Sequence, residues 1–318
     1  MLAVWLMAFA IGVALIVWGA EAFAEHLGRA SVGLGVSSFA LALLLAGAEP
    51  EELATAVVAS LRGSPGIALG DVVGANVTIC LVALGVGAWI APLPFRAAVM
   101  RYALLGLPLG AIGAWFAWDG QVGRIEGAIL VALYGFYVAA IWLAERKPPA
   151  LGEVGELAEA REAAVAGRPS RSGRDLAFVL AGVVAMAGGA TLLVEAVQRI
   201  SGVEAMQTRL ALTLVGFATG FELVVLAWSA ARRGISEAVV AGVVGSFAYN
   251  ATMTLGAGAL ARPLVLLDAG MLRLPLVLML GSLVLVVSLA ARRRELGRFE
   301  GAILLAAYPV FIAWMLLG

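Results

Sequence analysis

The sequence predicts an all-α integral membrane protein of ten transmembrane helices, arranged as two inverted five-helix repeats. Three observations carry this reading: the composition, the apolar runs, and a string that recurs in both halves. Of 318 residues, 63% are apolar and 13% charged, against about half and a quarter in a soluble domain. The mean hydropathy of +1.02 agrees. Acids and bases balance at 21 each, which leaves no basic field to attract nucleic acid. One cysteine, Cys80, and one histidine, His26, exclude an intrachain disulfide and multi-histidine zinc motifs. The residues call for no resident cofactor and indicate no protein partner; the lipid bilayer is the expected surrounding.

A bilayer span needs roughly 20 apolar residues. Apolar runs lie at about 1–22, 32–61, 66–91, 98–118 and 124–144, then at about 176–197, 207–231, 236–261, 271–291 and 299–317. The first has no positively charged start and is long for a signal-peptide core, so it reads as a retained span. The interval Glu145–Asp175, rich in Pro, Gly and mixed charge, reads as a linker, with a short surface helix at Leu151–Ala166 as the other reading. The domain expectation is a first repeat at 1–145, a cytoplasmic linker at 146–175 and a second repeat at 176–318. With ten spans, fifteen Lys and Arg residues fall on one face and six on the other. The positive-inside rule then predicts a plasma or inner membrane protein with both termini outside.

Gly123–Tyr134 reads GRIEGAILVALY and Gly297–Tyr308 reads GRFEGAILLAAY, identical at nine of twelve positions. Earlier in each half, Glu52-Leu53 is followed by Arg62-Gly63 and Val72–Gly74, and Glu222-Leu223 by Arg233-Gly234 and Val243–Gly245. An odd number of spans per repeat inserts the second copy upside down, an organisation found in transporters whose substrate sites lie at mid-membrane beside broken helices.

The polar residues inside the runs mark where such a site lies. LLLAGAEPEELATAVVAS places Glu49, Glu51 and Glu52 around Pro50, deep in span two. Carboxylates at that depth need a partner, a proton or water. Pro50 removes a backbone donor and disfavours a helical Glu49, so carbonyls near Gly47 and Ala48 are freed to act as hard oxygen ligands. TLVGFATGFELVVLAW carries Glu222, with Thr219 as a hydroxyl and Gly216 and Gly220 permitting a kink. In the following spans Asp71, Asn76, Ser246 and Asn250 add oxygen atoms. Asp71 has two readings, a helix N-cap or an ion ligand. Glu21 and Glu195 fall nearer span ends, where interface pairing explains them. The set is all-oxygen, suited to Ca²⁺ and other hard inorganic cations rather than copper or zinc.

These motifs resemble the calcium:cation antiporter superfamily of the sodium/calcium exchanger type, with its pattern G-T-S-x-P-E-L, then R-G, then G-N-x-x-G-S-N. This chain has GAEPEEL, RG and GDVVGAN in the first half, and FATGFEL, RG and AGVVGSF in the second. The resemblance implies ten spans in two inverted repeats and Ca²⁺ ligation by Glu52 and Glu222. It also implies that the first and sixth spans slide across the others, a motion that the Gly- and Ala-rich AGVVAMAGGATLL suits. The hydroxyl pair of the motif falls at Ala48-Glu49 and at Ala218-Thr219, its proline at Glu51 and Phe221. The third-span hydroxyl becomes Ala75 and a later ligand position Ile79, against Ser246 and Asn250 in the second half. Those losses fall largely on the family's sodium sites, so Na⁺ or H⁺ remain as coupling ions, with Glu49 available to carry protons.

The expected activity is therefore secondary antiport of cations, most simply Ca²⁺ export in exchange for Na⁺ or H⁺ by alternating access. A cation channel on the same scaffold, or transport of another cation, is the competing expectation. An enzyme is not expected: Leu69–Asp71 faintly matches an intramembrane aspartyl protease motif, but Ala68 replaces its first glycine and no Tyr-Asp partner exists.

Overall fold

A computed structural model describes residues 2–33, 49–145, 172–233 and 236–317. Among these residues, eight helices are long and apolar enough to cross a membrane. The first, α1 (Leu2–Gly33), has 32 residues and at 1.5 Å per residue extends about 48 Å, more than the roughly 30 Å of a hydrocarbon core. Of the second apolar run, residues 34–48 lie outside the described set, Ala48 among them. Its remainder is α2 (Pro50–Leu61). The turn at Arg62 and Gly63 leads to α3 (Pro65–Thr78), a wide π turn (Ile79–Ala83) and α4 (Leu84–Ile90). Gly63 takes φ +71°, a conformation that accounts for glycine in the Arg-Gly pair. The half closes with α5 (Ala97–Phe116) and α6 (Arg124–Glu145).

The second half begins with α7 (Ser172–Ile200), so the last residues of the interval read as linker are already helical. Residues 146–171, with the Leu151–Ala166 alternative, lie outside the described set. Next come α8 (Glu204–Leu210), a π turn (Ala211–Val215), α9 (Gly216–Thr219) and α10 (Phe221–Arg233). Gly234 is not among the described residues. The run ends with α11 (Ser236–Tyr249), a π turn (Asn250–Thr254), α12 (Leu255–Ala261), α13 (Gly270–Ala291) and α14 (Arg298–Leu317). The wide turns at Ile79 and Asn250 start at positions that the two sequence motifs had already matched.

Two-residue strands, invisible to hydropathy, tie the halves together at the loops. Leu93–Pro94 (β1) pairs antiparallel with Glu295–Leu296 (β4), and Gln121–Val122 (β2) with Leu264–Val265 (β3). Each pair joins one half of the chain to the other.

The recurring Gly-Arg-x-Glu-Gly string has a local physical cause. Glu126 Oε2 accepts from the Gly123 backbone N–H at 2.6 Å, and Glu300 Oε2 from that of Gly297 at 3.0 Å. Each glutamate thus reaches back to an otherwise unpaired donor at its helix start. The second glycine of each string touches backbone from the other half. A Cβ on Gly127 falls 2.8 Å from Gly256 O, and one on Gly301 falls 2.8 Å from Gly85 O.

Helices α1 and α7 form a close pair. A Cβ on Gly12 falls 2.8 Å from Gly189 O, and one on Gly182 falls 2.6 Å from Gly19 O, so the two backbones touch through small residues. His26 Nδ1 and Asp175 Oδ1 lie 2.8 Å apart between the same helices. Gly182 and Gly189, within the Gly- and Ala-rich stretch of α7, lie against the backbone of α1 at Gly19 and Gly12. Arg62 reaches α7 from the turn after α2, with Nη2 2.7 Å from Glu195, which also accepts from Arg199 at 2.8 Å. The pairing expected for Glu195 is present. Glu21 is exposed and has no ion pair among the described residues.

Gly127→Val is predicted to lower the apparent melting temperature of the purified protein, by the equivalent of about 1–3 kcal/mol of overpacking. Gly135→Ala is the control, since its added Cβ meets nothing within 4 Å. Scanning fluorimetry of both variants checks the difference.

Candidate cation site

The helix start at Pro50 and the helix break at Gly220 frame the candidate site. Glu49 stands before α2 with φ −113° and ψ 86°, off the helical conformation as Pro50 requires. Across from it, α9 stops at Thr219, and Gly220 turns the chain into α10. A helix end leaves backbone carbonyls without intrahelical partners.

Close helix approach brings the helix start and the break together. A Cβ on Gly70 falls 2.7 Å from Ala211 Cβ. Gly74 lies directly against Leu212 O, and Gly216 against the Ala75 amide. At this crossing Thr219 Oγ1 donates to Asp71 Oδ1 at 2.9 Å, with Val215 O at 3.2 Å as its other acceptor. Asp71 lies inside α3, beyond the Ser64 cap position. The N-cap reading is therefore set aside.

The carboxylates converge beside this crossing. Glu49, Glu51 and Glu52 are 5%, 1% and 0% exposed, and one oxygen from each lies within 4.8 Å of the others. Glu49 Oε1 accepts from Ser246 Oγ of α11. Glu222, half-buried on α10, lies close enough for its charge to act on Glu49, Glu51 and Glu52. Glu52 lies close enough to Glu49, Asp71 and Glu222 to feel their charge. Six of the buried oxygens without a hydrogen-bond partner belong here: Glu51 Oε1, both of Glu52, Glu222 Oε2, Asp71 Oδ2 and Thr55 Oγ1. Among the described residues, no lysine, arginine or histidine forms an ion pair with these acids.

The two amides sit differently from the acids. Asn76 Nδ2 donates to Phe247 O at 3.3 Å and faces Met279 Sδ at 3.5 Å, while its Oδ1 stays free and buried. It ties α3 to α11 and α13 and keeps one oxygen available. Asn250 Oδ1 accepts from Thr254 Oγ1 at 3.1 Å, which leaves Nδ2 without a partner. Sequence reasoning left Glu51 without a role and passed over Thr55. Both were accessible by helix spacing, because Thr55 lies one turn from Glu51 and Glu52.

Buried ionised carboxylates without partners are strongly unfavourable in an apolar interior. An all-oxygen cluster with unsatisfied lone pairs is the donor set of a hard cation.

These features define a multi-pass helical membrane protein with a dry acidic centre between its two halves. Residues 4–143 and 175–317 match the family described as sodium/calcium exchanger protein, and the chain belongs to that family. Its members are cation antiporters, transporters of inorganic ions rather than enzymes. An uncharacterised membrane protein of Methanocaldococcus jannaschii is 26% identical over 313 residues, 98% of this chain and 97% of that protein. The inner membrane protein YrbG of Escherichia coli is 23% identical, over 96% of this chain and 94% of its own length. Among solved structures, the sodium-calcium exchanger NCX_Mj superposes with a TM-score of 0.63 at 22% identity, covering 98% of this chain and 99% of its own; at that identity the likeness speaks for the fold.

Thr219→Val is predicted to lower the melting temperature, because it strips a fully buried carboxyl of its donor, an effect of about 1–3 kcal/mol. Thr219→Ser keeps the hydroxyl and is predicted to retain the wild-type value.

Proposed function

We propose that this chain exports Ca²⁺ in exchange for Na⁺ or H⁺ by alternating access. The reading adds two inverted five-span repeats (1–145 and 176–318), a cytoplasmic linker at 146–175, and a plasma or inner membrane location with both termini outside. The observation that carries it is the cluster of Glu49, Glu51 and Glu52 oxygens left without partners, with the charge of Glu222 from the opposite half acting on all three. A divalent cation offsets that excess of negative charge and fills those lone pairs.

Each ligand has a role in this reading. Glu52 and Glu222 hold the cation from the two halves, and Glu49 adds a third carboxylate positioned by Ser246. Asp71, steadied by Thr219, and the free oxygen of Asn76 border the same space. The backbone carbonyl of Ala218 completes the sphere with the side chain of Asn250, while Ala48, a further expected ligand, lies outside the described residues. Because the same carboxylates must hold either Ca²⁺ or the counter-ion, one flux is coupled to the other.

One observation favours H⁺ as the counter-ion. Ala75 and Ile79 stand where the resemblance puts sodium ligands, and both are fully buried apolar side chains that supply no oxygen. Glu49 supplies an extra proton-binding oxygen in their place.

The test is ⁴⁵Ca²⁺ uptake into proteoliposomes under an imposed pH gradient or an imposed Na⁺ gradient. Uptake that saturates and follows the pH gradient is expected, with Glu52→Gln and Glu222→Gln each reducing it at least about tenfold, as the loss of a charged ligand implies. Flux that needs no counter-ion gradient contradicts antiport and indicates a channel. Undiminished flux in both variants contradicts the site.

A further inference from the structure

We infer that Glu51 is a direct ligand of the transported cation, and that it makes the site a four-carboxylate cage with a preference for multivalent over monovalent ions. The inference rests on the cation site proposed above, and it assigns a residue that the family's motif fills with proline.

Glu51 occupies the first turn of α2, directly after Pro50. A glutamate that merely packs in a helix bundle is expected to find a donor, since buried acceptors in native interiors are nearly always paired. Glu51 has none on Oε1, although it is 1% exposed. Its neighbours are acids: one oxygen each of Glu49 and Glu52 lies within 4.8 Å of one of its own. Carboxylates this close repel when ionised, so the arrangement calls for a proton or a cation between them. The charged groups that act on Glu51 are Glu222, Glu52 and Glu49, with no base among them.

The geometry suits a single ion. Two oxygens on one Ca²⁺ ion are at most about 5 Å apart, twice the coordination distance. Oxygens of Glu49, Glu51 and Glu52 lie within 4.8 Å of one another. The charge of Glu222, from the second half, also acts on Glu51. Four carboxylates exceed the charge of one Ca²⁺ ion, and sites of excess negative charge favour ions of higher charge.

The experiment uses the purified full-length protein and Tb³⁺ as probe. Luminescence lifetimes in H₂O and D₂O count the water molecules on the bound ion, and ⁴⁵Ca²⁺ competition gives the preference for Tb³⁺ over Ca²⁺. Glu51→Gln, which keeps shape and removes charge, is expected to add about one bound water and to lower that preference at least about tenfold. Wild-type values for both quantities would overturn the inference. If Glu51→Gln does not fold, Glu51→Asp decides: its shorter carboxylate must raise the water count or weaken Ca²⁺ binding, and unchanged values overturn the role. Glu52→Gln separates this inference from the reading beneath it. Binding lost in Glu52→Gln but unaltered in Glu51→Gln removes Glu51 alone, whereas binding unaltered in Glu52→Gln removes the proposed site itself.

Discussion

The structure is organised around carboxylates withdrawn from water without basic partners. Glu51, Glu52 and Asp71 are at most 1% exposed, and each keeps at least one oxygen with no hydrogen-bond partner. A protein interior tolerates that arrangement only when something positive completes it. Helix interruptions, glycine crossings and the exchange of elements between halves can all be understood as means of holding these acids together in the bilayer.

The two halves contribute unlike parts to the same place. In the first, Pro50 ends the helical conformation at Glu49 and starts α2 with two glutamates in its opening turn, where the helix dipole favours negative charge. In the second, Gly220 makes the break and Glu222 is the one acid of α10. Spans α3 and α8–α9 then cross backbone to backbone through Gly70, Gly74 and Gly216, which puts Asp71 within reach of Thr219. Around this centre, α1 and α7 are joined to each other by glycine contacts and the His26–Asp175 pair. Their polar link to the turn after α2 runs through Arg62 and Glu195.

Much of this was legible in the sequence, because proline, glycine and intramembrane acids act locally. Pro50 announced the non-helical Glu49 at the start of α2, and Gly220 the turn before Glu222. What the Gly-Arg-x-Glu-Gly string does was not legible: its glutamate pairs with its own helix start and its glycine meets the opposite half, and the second contact depends on tertiary approach. Asp71 had two local readings, and only the position of the helix start at Pro65 decided between them. The bond from Ser246 to Glu49 and the approach of Thr219 to Asp71 join residues far apart in the chain, so no spacing rule encodes them. The two-residue strands carry too few residues to leave a pattern.

The most direct test of the shared site is anomalous diffraction from crystals soaked in Sr²⁺. The account predicts a peak inside the helix bundle, within coordination distance of carboxylate oxygens from both Glu52 and Glu222. A peak bound by only one half of the chain, or an acidic centre that stays free of the ion while Sr²⁺ binds elsewhere, would contradict it.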